Sequence, residues 1–87
     1  MSRQRSIEVI ESSPYVTIGE LVRLTGVRYS TLKFYTKEGM LVFEQAEENL
    51  TRRYKRVDTI QRISYIKSLR AEGKTIPQIK DILNQTK

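Results

Sequence analysis

Apolar residues in this chain come in short bursts, each broken by glycine or by a polar run. Ile18, Leu21 and Val22 fall on one helical face. Thr17 and Glu20 stand at the T-x-x-E spacing, at which each side chain bonds the other residue's backbone N–H and starts a helix. Gly26 supplies the backbone freedom that ends this helix after about two turns. A second helix is expected over "RYSTLKFYTKEG", with Leu32 and Tyr35 on its buried side and Gly39 at its end. Two short helices joined by a tight, glycine-containing turn form the helix-turn-helix pattern.

The next stretch, "MLVFEQAEENLTRRYKR", changes character. Leu41, Val42 and Phe43 favour a strand, "AEEN" is turn-like, and "LTRRY" favours a strand again. The expectation is a two-stranded β-hairpin whose tip, lacking glycine, is a longer loop. Asp58 and Gln61 are spaced as a capping pair, and Ile60, Ile63, Ile66 and Leu69 recur every three residues up to Gly73. A fourth helix follows, with Thr75 as its cap and Pro77 in the first turn, where a missing N–H costs nothing. Ile76, Ile79, Ile82 and Leu83 give its apolar stripe. The expected core includes Leu21, Leu32, Ile63, Ile66 and Ile79. Residues 1–14 are polar apart from Ile7, Val9 and Ile10. They read as a short extension, either helix, strand or frayed arm, closed by Pro14 ahead of a domain over residues 15–87.

Composition narrows the chemistry. A chain of 87 residues affords one modest core. It contains no Cys and no His, which removes disulfides, the usual zinc, haem and iron–sulfur sites, thiolate metal sensing and His acid–base catalysis. No metal or other cofactor is expected. No run approaches the ~20 apolar residues of a membrane span, and the N-terminus lacks the apolar core of a signal peptide. A cytoplasmic, nucleoid-associated protein is the expectation. Sixteen Lys and Arg against ten Asp and Glu leave a net charge of +6, which suits a polyanionic partner. Four of the six residues from Thr51 to Arg56 are cationic. No amphipathic basic helix accompanies them, which argues against a membrane surface. Glu44, Glu47 and Glu48 sit near a solvated hairpin tip without a partner acid or base, and no phosphate-binding glycine loop occurs, so an enzyme is not expected.

From Tyr15 to about Leu83 the chain resembles the DNA-binding domain of the MerR family of bacterial transcription regulators. The resemblance rests on "YVTIGELVRLTGV", "STLKFYTKEGML", "TRRY" and "ISYIKSLRAEGKTIPQIKDIL", in that order. It implies a mainly α, winged helix-turn-helix fold with four core helices. The wing is a two-stranded hairpin between the second and third of them. It also implies sequence-specific binding of double-stranded DNA in transcriptional regulation, as a homodimer paired through a C-terminal region beyond this chain. Two other readings stay open. One is a small architectural, excisionase-like or plasmid and chromosome maintenance factor on repeated sites, and the other is a protein-interaction module. Departures from the family pattern are Arg28 where a small helix cap is usual, Thr36 where an acid is usual, and a wing tip without glycine.

The resemblance also implies contacts. Tyr29, Ser30 and Thr31 open the second helix and would approach base edges or flanking phosphates, with Lys33 beside them and Arg28 reaching a phosphate. A merely solvated helix face is the alternative. Tyr35 would be a core residue whose hydroxyl is free for a phosphate, or core alone. Arg52, Arg53 and Tyr54 would serve the DNA backbone or the adjacent minor groove; otherwise the strand is a solvated basic surface and Tyr54 a core lid. Alternation along a strand puts Arg52 and Tyr54 on one face and Arg53 on the other.

Overall fold

The structure, a computed structural model, describes residues 5–47 and 51–85. Part of the expected wing tip (48–49), the start of its return strand at residue 50, the first four residues of the extension and residues 86–87 lie outside them. Along the chain come α1 (Ile7–Ser12), β1 (Tyr15–Val16), α2 (Ile18–Thr25), α3 (Tyr29–Lys37), β2 (Tyr54–Lys55), α4 (Arg56–Ala71) and α5 (Ile76–Gln85).

Three of the five helices are capped locally where they begin, and α3 and α4 are not. In α2 the Glu20 N–H donates to Thr17 Oγ1 at 3.2 Å and the Thr17 N–H donates to Glu20 Oε1 at 2.9 Å, closing the expected capping box. Thr75 and Gln78 exchange the same pair of bonds at the start of α5, at 2.8 and 3.3 Å. Ser6 caps α1 by accepting from the Val9 N–H. Helix α3 begins at Arg28 without any side-chain cap. Gly26 ends α2 at φ 73°, a left-handed position that a side chain would strain, and so sets the tight turn into α3.

The sequence placed the start of α4 at an Asp58 cap, and the structure corrects this. The helix begins three residues earlier, with Lys55 at the cap position and Arg56 first, directly out of β2. The reason is tertiary. The Arg56 N–H donates to the Pro14 carbonyl at 2.9 Å and its Nε to the Ser13 carbonyl at 2.8 Å. A backbone donor satisfied across the fold needs no local cap, and Asp58 becomes a first-turn acid favoured by the helix dipole.

The wing also differs in detail. No strand forms over Leu41, Val42 and Phe43. The two arms meet antiparallel at Glu44 and Arg53, whose backbones exchange bonds of 2.7 and 2.8 Å. Leu41 is instead drawn into the core and Phe43 packs on it, while Val42 is 74% exposed. The return arm then pairs as β2 with β1, Val16 opposite Tyr54 and Tyr15 opposite Lys55. The segment before α2 is thereby tied to the segment after the wing.

One core serves all these elements. Leu21, Leu32, Ile63, Ile66 and Ile79 are buried, as the periodicity predicts, and Met40 and Tyr54 join them. Truncating any one of the aliphatic members to alanine would cost about 2–5 kcal/mol. Helix α1 belongs to this core through Ile10. Arg5 braces it from outside: its guanidinium holds the Glu20 carboxylate through Nε–Oε2 and Nη2–Oε1 contacts of 2.6 and 2.7 Å. It also donates to Ser13 Oγ and the Tyr15 carbonyl. Among the described residues the other ion pair is Lys80–Glu38, which joins α5 to the end of α3.

The Arg5 guanidinium holds the Glu20 carboxyl below its ordinary pKa. A carboxylate with a depressed folded pKa stabilises the fold above its unfolded value, and this is lost as pH falls through the folded value. Glu20→Gln is expected to lower the Tm at neutral pH. The gap from wild type should close as pH drops below about 4. Thermal unfolding across pH checks this, and a gap that does not narrow as pH falls through and below the ordinary carboxylate range contradicts it.

Candidate nucleic-acid interface

Helix α3 buries Leu32, Tyr35 and Thr36 and leaves the remainder of its surface outward. Arg28, Tyr29, Ser30 and Lys33 are exposed, and Thr31 is half-buried. Tyr29 is 52% and Phe34 43% exposed, an unusual apolar display for a helix with nothing packed over it. The uncapped start is part of the same surface. The first N–H groups of α3 have no side-chain acceptor, and the residue standing there is a cation. A helix N-terminus without a side-chain cap and with an adjacent arginine favours an anionic group.

Helix α4 supplies what the sequence reading missed. Ser30, Thr31, Phe34 and Tyr35 line one open depression with Lys67 and Arg70. Lys67 and Arg70 lie three apart, beside the buried stripe of Ile63, Ile66 and Leu69. They were legible as an (i, i+3) basic pair on α4, but nothing in the sequence shows that they border the same depression as α3. Neither takes part in the two ion pairs among the described residues. Tyr35, buried at 7% exposure, reaches this depression only as a lining residue.

The wing residues divide. Arg52 and Arg53 are exposed. The Arg52 guanidinium lies 4.6 Å over the Phe43 ring, a cation–π contact that leaves its N–H edges open. Phe43 in turn packs against Tyr54, ring centroids 6.0 Å apart. Arg53 carries the backbone bridge to Glu44. Tyr54 departs from the expected contact residue. It is fully buried, and its hydroxyl lies 2.9 Å from Thr36 Oγ1, so it has neither the surface nor a free hydroxyl for an outside phosphate. The strand-parity pairing of Arg52 with Tyr54 is nevertheless visible, since both lie on Phe43.

A short two-helix motif with an exposed second helix, a flanking hairpin arm and cations on three neighbouring elements defines a winged helix-turn-helix domain. Residues 16–86 match the family of MerR HTH family regulatory proteins. The chain belongs to that family. It is 42% identical over 64 residues to an HTH-type transcriptional activator SoxR homolog of Chromobacterium violaceum, a match covering 74% of this chain and 42% of the relative. It is 29% identical over 68 residues to a mercuric resistance operon regulatory protein of Pseudomonas fluorescens, covering 78% of this chain and 46% of that protein. The chain thus spans less than half the length of these curated relatives. No solved structure matches it. Among the described residues no helix is long and apolar enough to cross a membrane.

Replacing Arg28 by serine gives α3 the side-chain acceptor it lacks. Arg28→Ser is expected to stabilise the fold by about 1 kcal/mol. Urea unfolding measures it. A destabilised variant would show that Arg28 has a structural partner after all.

Proposed function

We propose that this chain binds double-stranded DNA sequence-specifically, with α3 in the major groove, and that it does so to regulate transcription. The observation that carries the reading is the outward face of α3 at Tyr29, Ser30 and Lys33, flanked by cations on α4. Tyr29, Ser30, Thr31 and Lys33 are the residues offered to base edges, at the end of the helix that such motifs insert. Arg28, Lys67 and Arg70 border them and suit phosphates on either side of a groove. Tyr35 contributes its edge to the same depression. Arg52 and Arg53 extend the cationic surface along the wing. The reading-head is the domain over residues 15–87, with the segment before it acting as a brace. The relatives named above are a transcriptional activator and an operon regulator by name, and their shared segment is the one this chain carries.

Phosphate contacts supply affinity and position, whereas base-edge contacts supply sequence choice. The two groups of residues should therefore fail differently. Lys67→Ala, Arg70→Ala and Arg52→Ala are expected to weaken binding alike on a selected site and on random duplex. Each should lower the slope of log affinity against log salt by about 0.9. Lys33→Ala and Ser30→Ala should narrow the preference for the selected site by about 5- to 100-fold, on the scale of one base contact. Fluorescence anisotropy titrations at several salt concentrations read both quantities. A wild-type chain with no affinity for random duplex at low salt overturns the proposal. Footprinting on a selected site then reads the pairing of chains. An inverted repeat fits the homodimer that belongs to this reading, and a direct repeat does not.

A further inference from the structure

Within the DNA-binding reading, on which this inference rests, one buried contact has no role yet. Thr36 lies in the last turns of α3 and is only 6% exposed. Its Oγ1 is 2.9 Å from the Leu32 carbonyl and 2.9 Å from the Tyr54 hydroxyl. A threonine has one hydroxyl proton. If that proton goes to the Leu32 carbonyl, which can only accept, Tyr54 must donate to Thr36. Both hydroxyls are then satisfied with no proton to spare, consistent with the absence of unpartnered buried side-chain polar atoms among the described residues.

Contacts continue outward from that bond. The Tyr54 ring packs on Phe43 at 6.0 Å between centroids, tilted by 52°. Phe43 lies on the first arm of the wing, and the Arg52 guanidinium lies over it at 4.6 Å. An exposed arginine normally samples many rotamers, and ordering it on binding costs free energy. Here a ring face holds the guanidinium in advance, and a hydrogen bond to α3 holds that ring's support. We propose that Thr36 is a positioning residue for DNA binding: through Tyr54 and Phe43 it sets the wing cation Arg52 at a fixed offset from the recognition helix. The recognition helix and the wing then meet the duplex as one rigid body.

The chemistry makes the two ends of the bond unequal. Tyr54→Phe removes the donor and leaves Thr36 bonded to Leu32. Thr36→Val removes the acceptor and leaves a buried phenol unpaired, which is the costlier change. Thr36→Ser keeps the bond. On a duplex carrying one selected site, Thr36→Val is expected to lose about 10-fold in affinity and Tyr54→Phe about 3-fold, with Thr36→Ser near wild type. The decisive test is coupling. Because Thr36 acts through Arg52, adding Thr36→Val to Arg52→Ala should cost little further affinity. A purely structural residue would give additive losses. Hydrogen exchange in the free protein separates the relay from the DNA reading. The Glu44 and Arg53 amides, which close the wing bridge, should exchange faster in both Thr36→Val and Tyr54→Phe and not in Thr36→Ser. Additive losses, or unchanged exchange at those two amides, overturn the relay. Faster exchange in a chain that binds no duplex shows that the contact holds the wing but positions nothing on DNA, which overturns its assigned role and the DNA reading together.

Discussion

Tyr54 is the residue at which the separate parts of this small fold are fastened. Its backbone pairs β2 with β1, its ring supports the wing arm, and its hydroxyl bonds Thr36 on α3. A buried phenol is costly unless its hydroxyl is paired, and a buried ring is a large share of a core this size. Both conditions are met only when α3, the wing and the β1 segment take one arrangement. Lys55 follows immediately and α4 starts at the next residue, so the same point also sets the origin of the longest helix. The Pro14 carbonyl completes the junction by accepting the first N–H of α4.

That junction explains why the exposed surface has the form it does. With Leu32, Tyr35 and Thr36 of α3 committed to the core, Tyr29 and Ser30 in its first turn and Lys33 beyond them stay exposed. Helix α4 crosses beside it and brings Lys67 and Arg70 to the same depression. The charge surplus is therefore not spread as a uniform coat. Part of it is spent internally, since Arg5 braces Glu20 and Arg56 holds the Ser13 carbonyl. The cations of α3, the wing and the second half of α4 take no part in the ion pairs among the described residues.

Periodicity recovers the helices that have an apolar stripe and a local cap. Thr17 with Glu20 and Thr75 with its first turn are cases where three or four residues carry the whole signal. It fails where the determinant is distant in sequence. Two-residue β1 has no period to read, and its partner lies some forty residues away. The start of α4 depends on a carbonyl at Pro14 rather than on Asp58. Tyr54 within "TRRYKR" looks like part of a surface charge run, because alternation along a strand tells which residues share a face but not which face meets the core. Thr36 stood out as a departure from the family pattern, yet only the fold reveals its partner. Lys67 and Arg70 were visible as charges, and only the fold shows that they line one depression with α3.

In the DNA-binding reading, α3 and the cations around it face one duplex. Backbone amide chemical-shift mapping of the chain titrated with a duplex tests it most directly. The largest changes are expected at Arg28, Tyr29, Ser30 and Lys33, with a second group at Lys67, Arg70 and Arg52, and small changes along α1 and the outer side of α5. Changes concentrated on α1 and α5 while α3 stays still would contradict it.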